Sequence, residues 1–201
     1  PWGVLQRIGL CFGVVGLLAL MTRARARWLL IASILLGYWG LLAAGGTFEP
    51  WINLASRIDT ALLGPMVYQF DPATGLGHEP EGLLSTLPAI ATTLLGLRAG
   101  EWLRRGELKQ LAYGGCIALV VGTLWSLVFP FNKNLWSSSF VLWTAGWAML
   151  ALVTCHVLID RRRWPPVGRA FGINAIAAYV GSSVMVYVFA ALGWWEPIYR
   201  I

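Results

Sequence analysis

The sequence predicts an all-α, polytopic transmembrane bundle of about six helices, each near the ~20 apolar residues that cross hydrocarbon. Composition, apolar runs and loop charge carry this reading. The 201 residues are 58% hydrophobic and 12% charged, where a soluble domain carries roughly 25% charged residues. A soluble core of this length has no use for so much apolar surface. Lipid does, because it acts as an apolar solvent for the outer faces of helices. Apolar segments run over Gly3–Met21, Trp28–Ala44, Leu83–Gly100, Leu111–Phe129, Leu135–Ile159 and Ala170–Leu192. Arg23, Arg25 and Arg27 follow the first segment, Arg104, Arg105 and Lys109 the third, and Arg161, Arg162, Arg163 and Arg169 the fifth. The alternate connections carry few cations (Arg57, Lys133, Arg200) and most acids: Glu49, Asp59, Asp71, Glu79, Glu81 and Glu196. The positive-inside rule therefore places the arginine-rich turns in the cytoplasm, and residues 45–82 and 130–135 outside it.

The chain reads as one transmembrane helical domain over 1–201. It begins at Pro1 without an initiator Met, as a piece of a longer membrane protein does. The net charge of +6 does not indicate a nucleic-acid partner. The cations are divided among short turns and form no stripe with interleaved aromatics. They suit topology and anionic lipid heads. Most of the twelve Trp fit a belt at the two interfaces: Trp28, Trp102 and Trp164 beside the basic turns, and Trp51, Trp136, Trp194 and Trp195 opposite. Cys11, Cys116 and Cys155 lie in apolar runs, without CxxC or Cys/His spacing, and read as buried small hydrophobes. No metal-ligand set is present in the sequence. The stretch from Gly45 to Gly82, punctuated by Gly, Pro, Asn and Asp, reads as an outer loop. Gly37, Gly40, Gly45 and Gly46 read as sites of close helix contact.

Polar residues placed where water is scarce are costly and mark candidate sites. Gln6 and Arg7 lie in the outer part of the first segment. Arg7 either snorkels to the interface or clamps an anion or carbonyl. His78-Glu79-Pro80-Glu81-Gly82, followed by Ser85 and Thr86, leads into the third helix. Glu81 suits a helix N-terminus, while a carboxylate beside His78 can also act as a general acid or base, and His78 alone reads as a solvated loop residue. Asn132-Lys133-Asn134-Leu135-Trp136-Ser137 packs two amides, a cation, an indole and hydroxyls into one short connection. A plain turn needs about one Asn or Gly, so recognition of a hydroxyl-rich or anionic ligand competes here with capping. Asn174 in the last segment either joins helices by hydrogen bonds or lines a pathway. Arg98 and Glu101 read as an i,i+3 ion pair. No nucleophile–base arrangement is visible, so the residues alone describe a membrane protein with a polar outer site.

Four motifs resemble those of one family. Gly3-Val4-Leu5-Gln6-Arg7-Ile8-Gly9 is similar to its GVLQR helix, and Glu79-Pro80-Glu81-Gly82 to its DPEG motif with Glu79 in place of Asp. Asn132-Lys133-Asn134-Leu135-Trp136-Ser137 is similar to its NKNLWS motif, and Gly172-Ile173-Asn174-Ala175-Ile176 to its G-x-N-[SA]-I segment. Ile58-Asp59 with Leu62-Leu63-Gly64 also resembles its outer loop. The family is that of heparan-α-glucosaminide N-acetyltransferase, with its bacterial membrane relatives, and the resemblance covers its C-terminal half. It implies an acyltransferase that takes acetyl from cytoplasmic acetyl-CoA to the amino group of a glucosamine-type sugar or glycan end across a bacterial inner membrane. The catalytic residue is unknown within this chain, because the family His precedes Pro1; neither His78 nor His156 takes that role. The resemblance makes Gln6, Arg7, Glu81, Ser85, Asn132, Lys133, Asn134, Trp136, Ser137 and Asn174 candidates for binding substrate or acetyl-CoA. An amino-sugar transporter or flippase is the alternative, and a non-catalytic scaffold a third reading. Homo-oligomerisation is left open.

Overall fold

Helix α1, Val4–Met21, is apolar on almost every side, and only Arg7, Cys11 and Val15 are buried within protein. Phe12 at 76% and Leu20 at 88% exposure face outward, as lipid-contacting side chains do. This computed structural model describes residues 3–194. Readings placed on Pro1, Trp2, Trp195, Glu196 and Arg200 lie outside the described residues. The chain forms two compact units, Pro1–Thr154 and Cys155–Ile201.

In the first unit, Thr22 and Arg23 turn the chain into α2, Ala24–Ala44. A long connecting segment leads to α4, Thr86–Arg104, then α5, Leu108–Trp125, and α6, Ser138–Cys155. Helix α4 packs against α1, α2 and α5. Its Ala91, Leu94, Leu95 and Ala99 meet Val15, Ile31, Leu35, Leu111, Val141 and Met149 in the main core. Four helices among the described residues are long and apolar enough to cross a membrane: Val4–Met21, Ala24–Ala44, Leu108–Trp125 and Ser138–Arg161. The count of about six is therefore met only in part. Helix α4 carries Pro88, Thr92, Thr93, Arg98 and Glu101. Its neighbours supply its apolar surroundings, so it need not be lipophilic on all sides.

At one end, which we call the arginine end, Glu101 pairs with Arg98 at 2.7 Å, as its spacing predicts, and also with Arg27 at 2.9 Å. The Arg98 guanidinium lies 5.0 Å from the Trp102 ring centre, and Trp102 packs on Trp28 with centroids 6.0 Å apart. This network ties the start of α2 to the end of α4.

At the opposite end, the segment from Gly45 to Gly82 is a folded cap and not the open loop its Gly and Pro content suggests. Asn53 caps α3, Leu54–Leu63, by accepting from the Ser56 N–H at 2.9 Å. A two-stranded antiparallel hairpin follows, β1 Gln69–Asp71 and β2 Leu76–His78, with Phe70 opposite Gly77. Asp71 closes its turn by accepting from the Ala73 N–H and the Thr74 hydroxyl. Backbone polar groups that leave a helix need partners, and the hairpin and its packing on α3 supply them. Tyr38, Leu42, Ala55, Phe129 and Leu135 form a second core beneath the cap.

Close helix contact falls elsewhere than expected. A Cβ added at Gly37, Gly40 or Gly46 meets nothing within 4 Å, and Gly45 alone packs tightly, against Leu54. The close approach joins α5 and α6. A Cβ at Gly146 would lie 2.7 Å from the Gly115 carbonyl oxygen, and one at Gly122 would lie 2.8 Å from the Trp143 nitrogen. The cysteines also divide: Cys11 is buried, whereas Cys116 and Cys155 are exposed, because an apolar run in this fold faces outward as often as inward.

In the second unit, residues His156–Arg161 form a π-helical turn. Short α7, Arg169–Ile173, and α8, Ala175–Ala191, follow. The expected last span, Ala170–Leu192, is thus interrupted at Asn174.

Candidate functional site

Arg7 organises the cap end. It is 5% exposed and does not snorkel. Its guanidinium donates to the Pro80 carbonyl at 3.1 Å and the Ser85 carbonyl at 2.6 Å, and lies 4.4 Å from the centre of the Trp136 ring. Its Nε is buried without a hydrogen-bond partner. A planar guanidinium suits this combined donor and stacking role, which an ammonium does not fill.

Trp136 is held in place by its own motif. The Asn132 side chain accepts from the N–H groups of Asn134 at 2.9 Å and Leu135 at 3.0 Å, a local turn that Asn favours. The Ser137 hydroxyl donates to the Pro130 carbonyl at 2.9 Å and accepts from the Asn132 N–H at 3.0 Å. Ser138 donates to the Leu35 carbonyl at 2.7 Å. Trp136 adopts φ 53°, a left-handed conformation uncommon for a bulky residue. Its indole N–H donates to the Thr92 hydroxyl at 3.0 Å. Strain of this kind persists where the surroundings over-determine it, as they do here.

Tyr38 braces the same turn from α2, its hydroxyl donating to the Leu135 carbonyl at 2.6 Å within the buried core. Tyr38→Phe leaves that carbonyl unpaired, and unfolding measured in detergent should show a loss of about 1–3 kcal/mol.

The turn into α4 completes the site. Asp59 of α3 is 1% exposed, and accepts from the N–H groups of Leu83 at 2.9 Å and Leu84 at 3.3 Å. Burial pushes its carboxyl above the usual range, against the lowering effect of those two donors. Glu79 accepts from the Tyr68 N–H at 2.8 Å and the Glu81 N–H at 3.3 Å, and burial likewise raises its carboxyl. His78 is buried rather than solvated, with Nδ1 3.3 Å from the Ser56 hydroxyl and its ring beside Trp51. Burial pushes its imidazole below the usual value.

A cavity of about 300 Å³ opens among Arg7, Cys11, Glu81, Thr92, Thr93 and Trp136, with Val4, Ile8, Phe12 and Ala89 as its apolar walls. Phe12 and Thr93 also line a second hollow of about 360 Å³, which continues along α4 past Val15, Gly16, Ala19, Gly96 and Leu97. A mostly apolar cleft with a few converging polar groups is the usual form of a small-molecule site.

The structure thus brings Arg7, Glu81 and Trp136 together. Ser85 is buried beside them, where its hydroxyl donates to the Gly82 carbonyl at 3.1 Å while its own carbonyl holds Arg7. Asn132 and Ser137 are engaged in the turn. Lys133 and Asn134 are exposed on it. Gln6 is exposed on α1 and does not line the cavity. Asn174 belongs to the second unit, where it is exposed and donates to the Ala170 carbonyl of its own chain at 3.0 Å. His156 pairs there with Asp160 at 2.7 Å. Sequence reasoning passed over Asp59, Tyr38, Cys11, Thr92 and Thr93 as site residues. The Thr92-Thr93 pair inside an apolar run was the one signal available for the inner wall.

No protein-family model matches the chain. It is 29% identical, over 90% of its own length, to human heparan-α-glucosaminide N-acetyltransferase. It is 32% identical, over 65% of its length, to the mouse protein of the same name. It spans 36% of the human and 23% of the mouse protein. Over most of its length the chain is thus similar to heparan-α-glucosaminide N-acetyltransferases, which supports the resemblance its motifs carry.

Proposed function

We propose that this chain is part of a membrane-bound acetyltransferase, moving acetyl from cytoplasmic acetyl-CoA to the amino group of a glucosamine-type sugar on the far side of a bacterial inner membrane. The observation that supports this most is the convergence of Arg7, Glu81 and Trp136 on one cavity at the cap end. In this reading α4 and the interrupted last helix complete six spans, with the arginine end in the cytoplasm. The sugar enters from the cap side, where the Glu81 carboxylate holds its amine. The Trp136 face and the exposed Lys133 and Asn134 meet its hydroxyls. The hollow along α4, walled by small and apolar residues, admits a thioester arm from the other end. The amine nitrogen attacks the thioester carbonyl carbon, a base removes the amine proton, and the thiolate leaves. Arg7, whose Nε faces no protein acceptor, stands where a carbonyl oxygen gains charge. Neither His78 nor His156 is given the role of base: His78 is not part of the cavity wall, and His156 pairs with Asp160.

The test uses the full-length protein in proteoliposomes, with radiolabelled acetyl-CoA on the arginine side and glucosamine on the other. Labelled N-acetylglucosamine is the expected product. Asn134→Ala and Lys133→Ala should each lower kcat/KM by about 10-fold, the scale of one lost hydrogen bond to the sugar, with unchanged thermal unfolding because both side chains are exposed. Normal turnover by these folded variants would sink their assignment. The hollow continuing along α4 also suits an amino-sugar transporter or flippase. Sugar crossing the bilayer without label would decide for that reading.

A further inference from the structure

The segment from Glu79 to Ser85 is held from two sides. On the cap side, carboxylates take its N–H groups: Glu79 binds that of Glu81, and Asp59 binds those of Leu83 and Leu84. On the helix side, the Pro80 and Ser85 carbonyls take the guanidinium of Arg7. Gly82 sits between these grips. A Cβ there would collide with the Asp59 carboxylate, so the absence of a side chain is what lets Asp59 reach the backbone. The two carbonyls that aim Arg7 therefore flank the stretch that Asp59 fixes. Loss of the Asp59 carboxylate frees two part-buried N–H groups in the turn just ahead of α4, a cost met by shifting the turn. A shifted turn carries both acceptors of Arg7 with it.

We infer that Asp59 is the positioning residue of the site: it acts through the Gly82–Ser85 turn to set the direction of the Arg7 guanidinium over Trp136, without touching a ligand itself. Helix capping alone does not account for this arrangement. A cap for α4 asks only for an acceptor near its first N–H groups, whereas here the same segment presents the Arg7 guanidinium with its only hydrogen-bond acceptors among the described residues.

This inference builds on the proposed acetyl transfer, so its test carries one readout that does not depend on that reaction. Cys11 lines the same cavity one helical turn from Arg7 and is 5% exposed. In the full-length protein, maleimide modification of Cys11, followed by peptide mass spectrometry, reports whether Arg7 and its turn still close the cavity. Asp59→Ala should speed Cys11 labelling several-fold in protein that remains folded by circular dichroism. It should also lower acetyl transfer by about 10²-fold, the scale set by a misplacement near 1 Å, mainly in kcat. Asp59→Asn retains a carbonyl oxygen for Leu83 and Leu84, and should stay near wild type in both readouts. If Asp59→Ala fails to fold, Asp59→Ser, with its oxygen on a shorter arm, replaces it under the same criterion. Unchanged Cys11 labelling in folded Asp59→Ala or Asp59→Ser, or an Asn variant as impaired as Ala, overturns the inference. Faster Cys11 labelling in a protein that transfers no acetyl upholds the positioning and defeats the proposed reaction. Transfer by wild type, with both readouts unmoved by Asp59→Ala, does the reverse.

Discussion

Replacing Arg7 by Ala is expected to lower the stability of the first unit by about 3 kcal/mol or more, the largest loss from any single polar side chain at the cap end. The change leaves the Ser85 carbonyl without its donor and the Pro80 carbonyl with only the long contact from the Ser85 hydroxyl at 3.4 Å. Each unpaired buried acceptor costs about 1–3 kcal/mol. The contact with the Trp136 face, 4.4 Å from the guanidinium carbon, adds about 1–2 kcal/mol where it is desolvated. Arg7→Lys keeps the charge but presents a single ammonium, which cannot serve both carbonyls in one plane and lie flat on the indole. It should fall between wild type and Ala. Unfolding followed in one detergent through the three proteins measures the order. A loss within about 0.5 kcal/mol for Arg7→Ala, the range of an ordinary surface change, would mean that Arg7 reaches the interface and holds nothing.

Gly146→Leu is expected to separate α5 from α6 and cost about 3 kcal/mol or more. Its Cβ alone would stand 2.7 Å from both the Gly115 carbonyl oxygen and the Leu119 side chain. These are a backbone oxygen and a branched Cγ close to its own backbone, and neither swings aside as the end of a flexible chain does. Overpacking of a filled core costs about 1–3 kcal/mol and more where backbone must move. Gly37→Leu is the matched control. Nothing lies within 4 Å of a Cβ at that position, so its effect should remain within about 0.5 kcal/mol. Since Gly→Leu raises helix propensity at both positions, equal losses would show that the approach of α5 to α6 does not govern the result.

The two substitutions mark where sequence reasoning holds and where it stops. Small residues permit close contact in membranes, but Gly37 and Gly146 look alike along the chain. What distinguishes them is whether another backbone lies opposite, and that depends on pairs of positions far apart. Arg7 presents the same difficulty. A cation near a helix end reads equally as snorkelling or buried. Its burial follows from carbonyls 73 and 78 residues away. The Asn132–Ser137 turn was partly legible, because Asn and Ser close turns with their own side chains. That this turn spends Asn132 and Ser137 on itself, leaving Lys133 and Asn134 outward, was not. His78 reads as a loop residue until α3 and β2 are seen to enclose it.

Helical class, the boundaries of α1, α2, α5 and α6 to within a few residues, the arginine-rich turns and the motifs that carry the family resemblance were all legible along the chain. These are local properties, set by apolar run length and by charges at the membrane edge. The folding of residues 45–82 into a cap, the packing of α4 against three other helices, and the convergence of Asp59, Glu81, Arg7 and Trp136 emerge only in three dimensions. The reason is physical. Lipid selects residues one segment at a time, whereas a buried charge is stable only where distant backbone groups meet to replace its water.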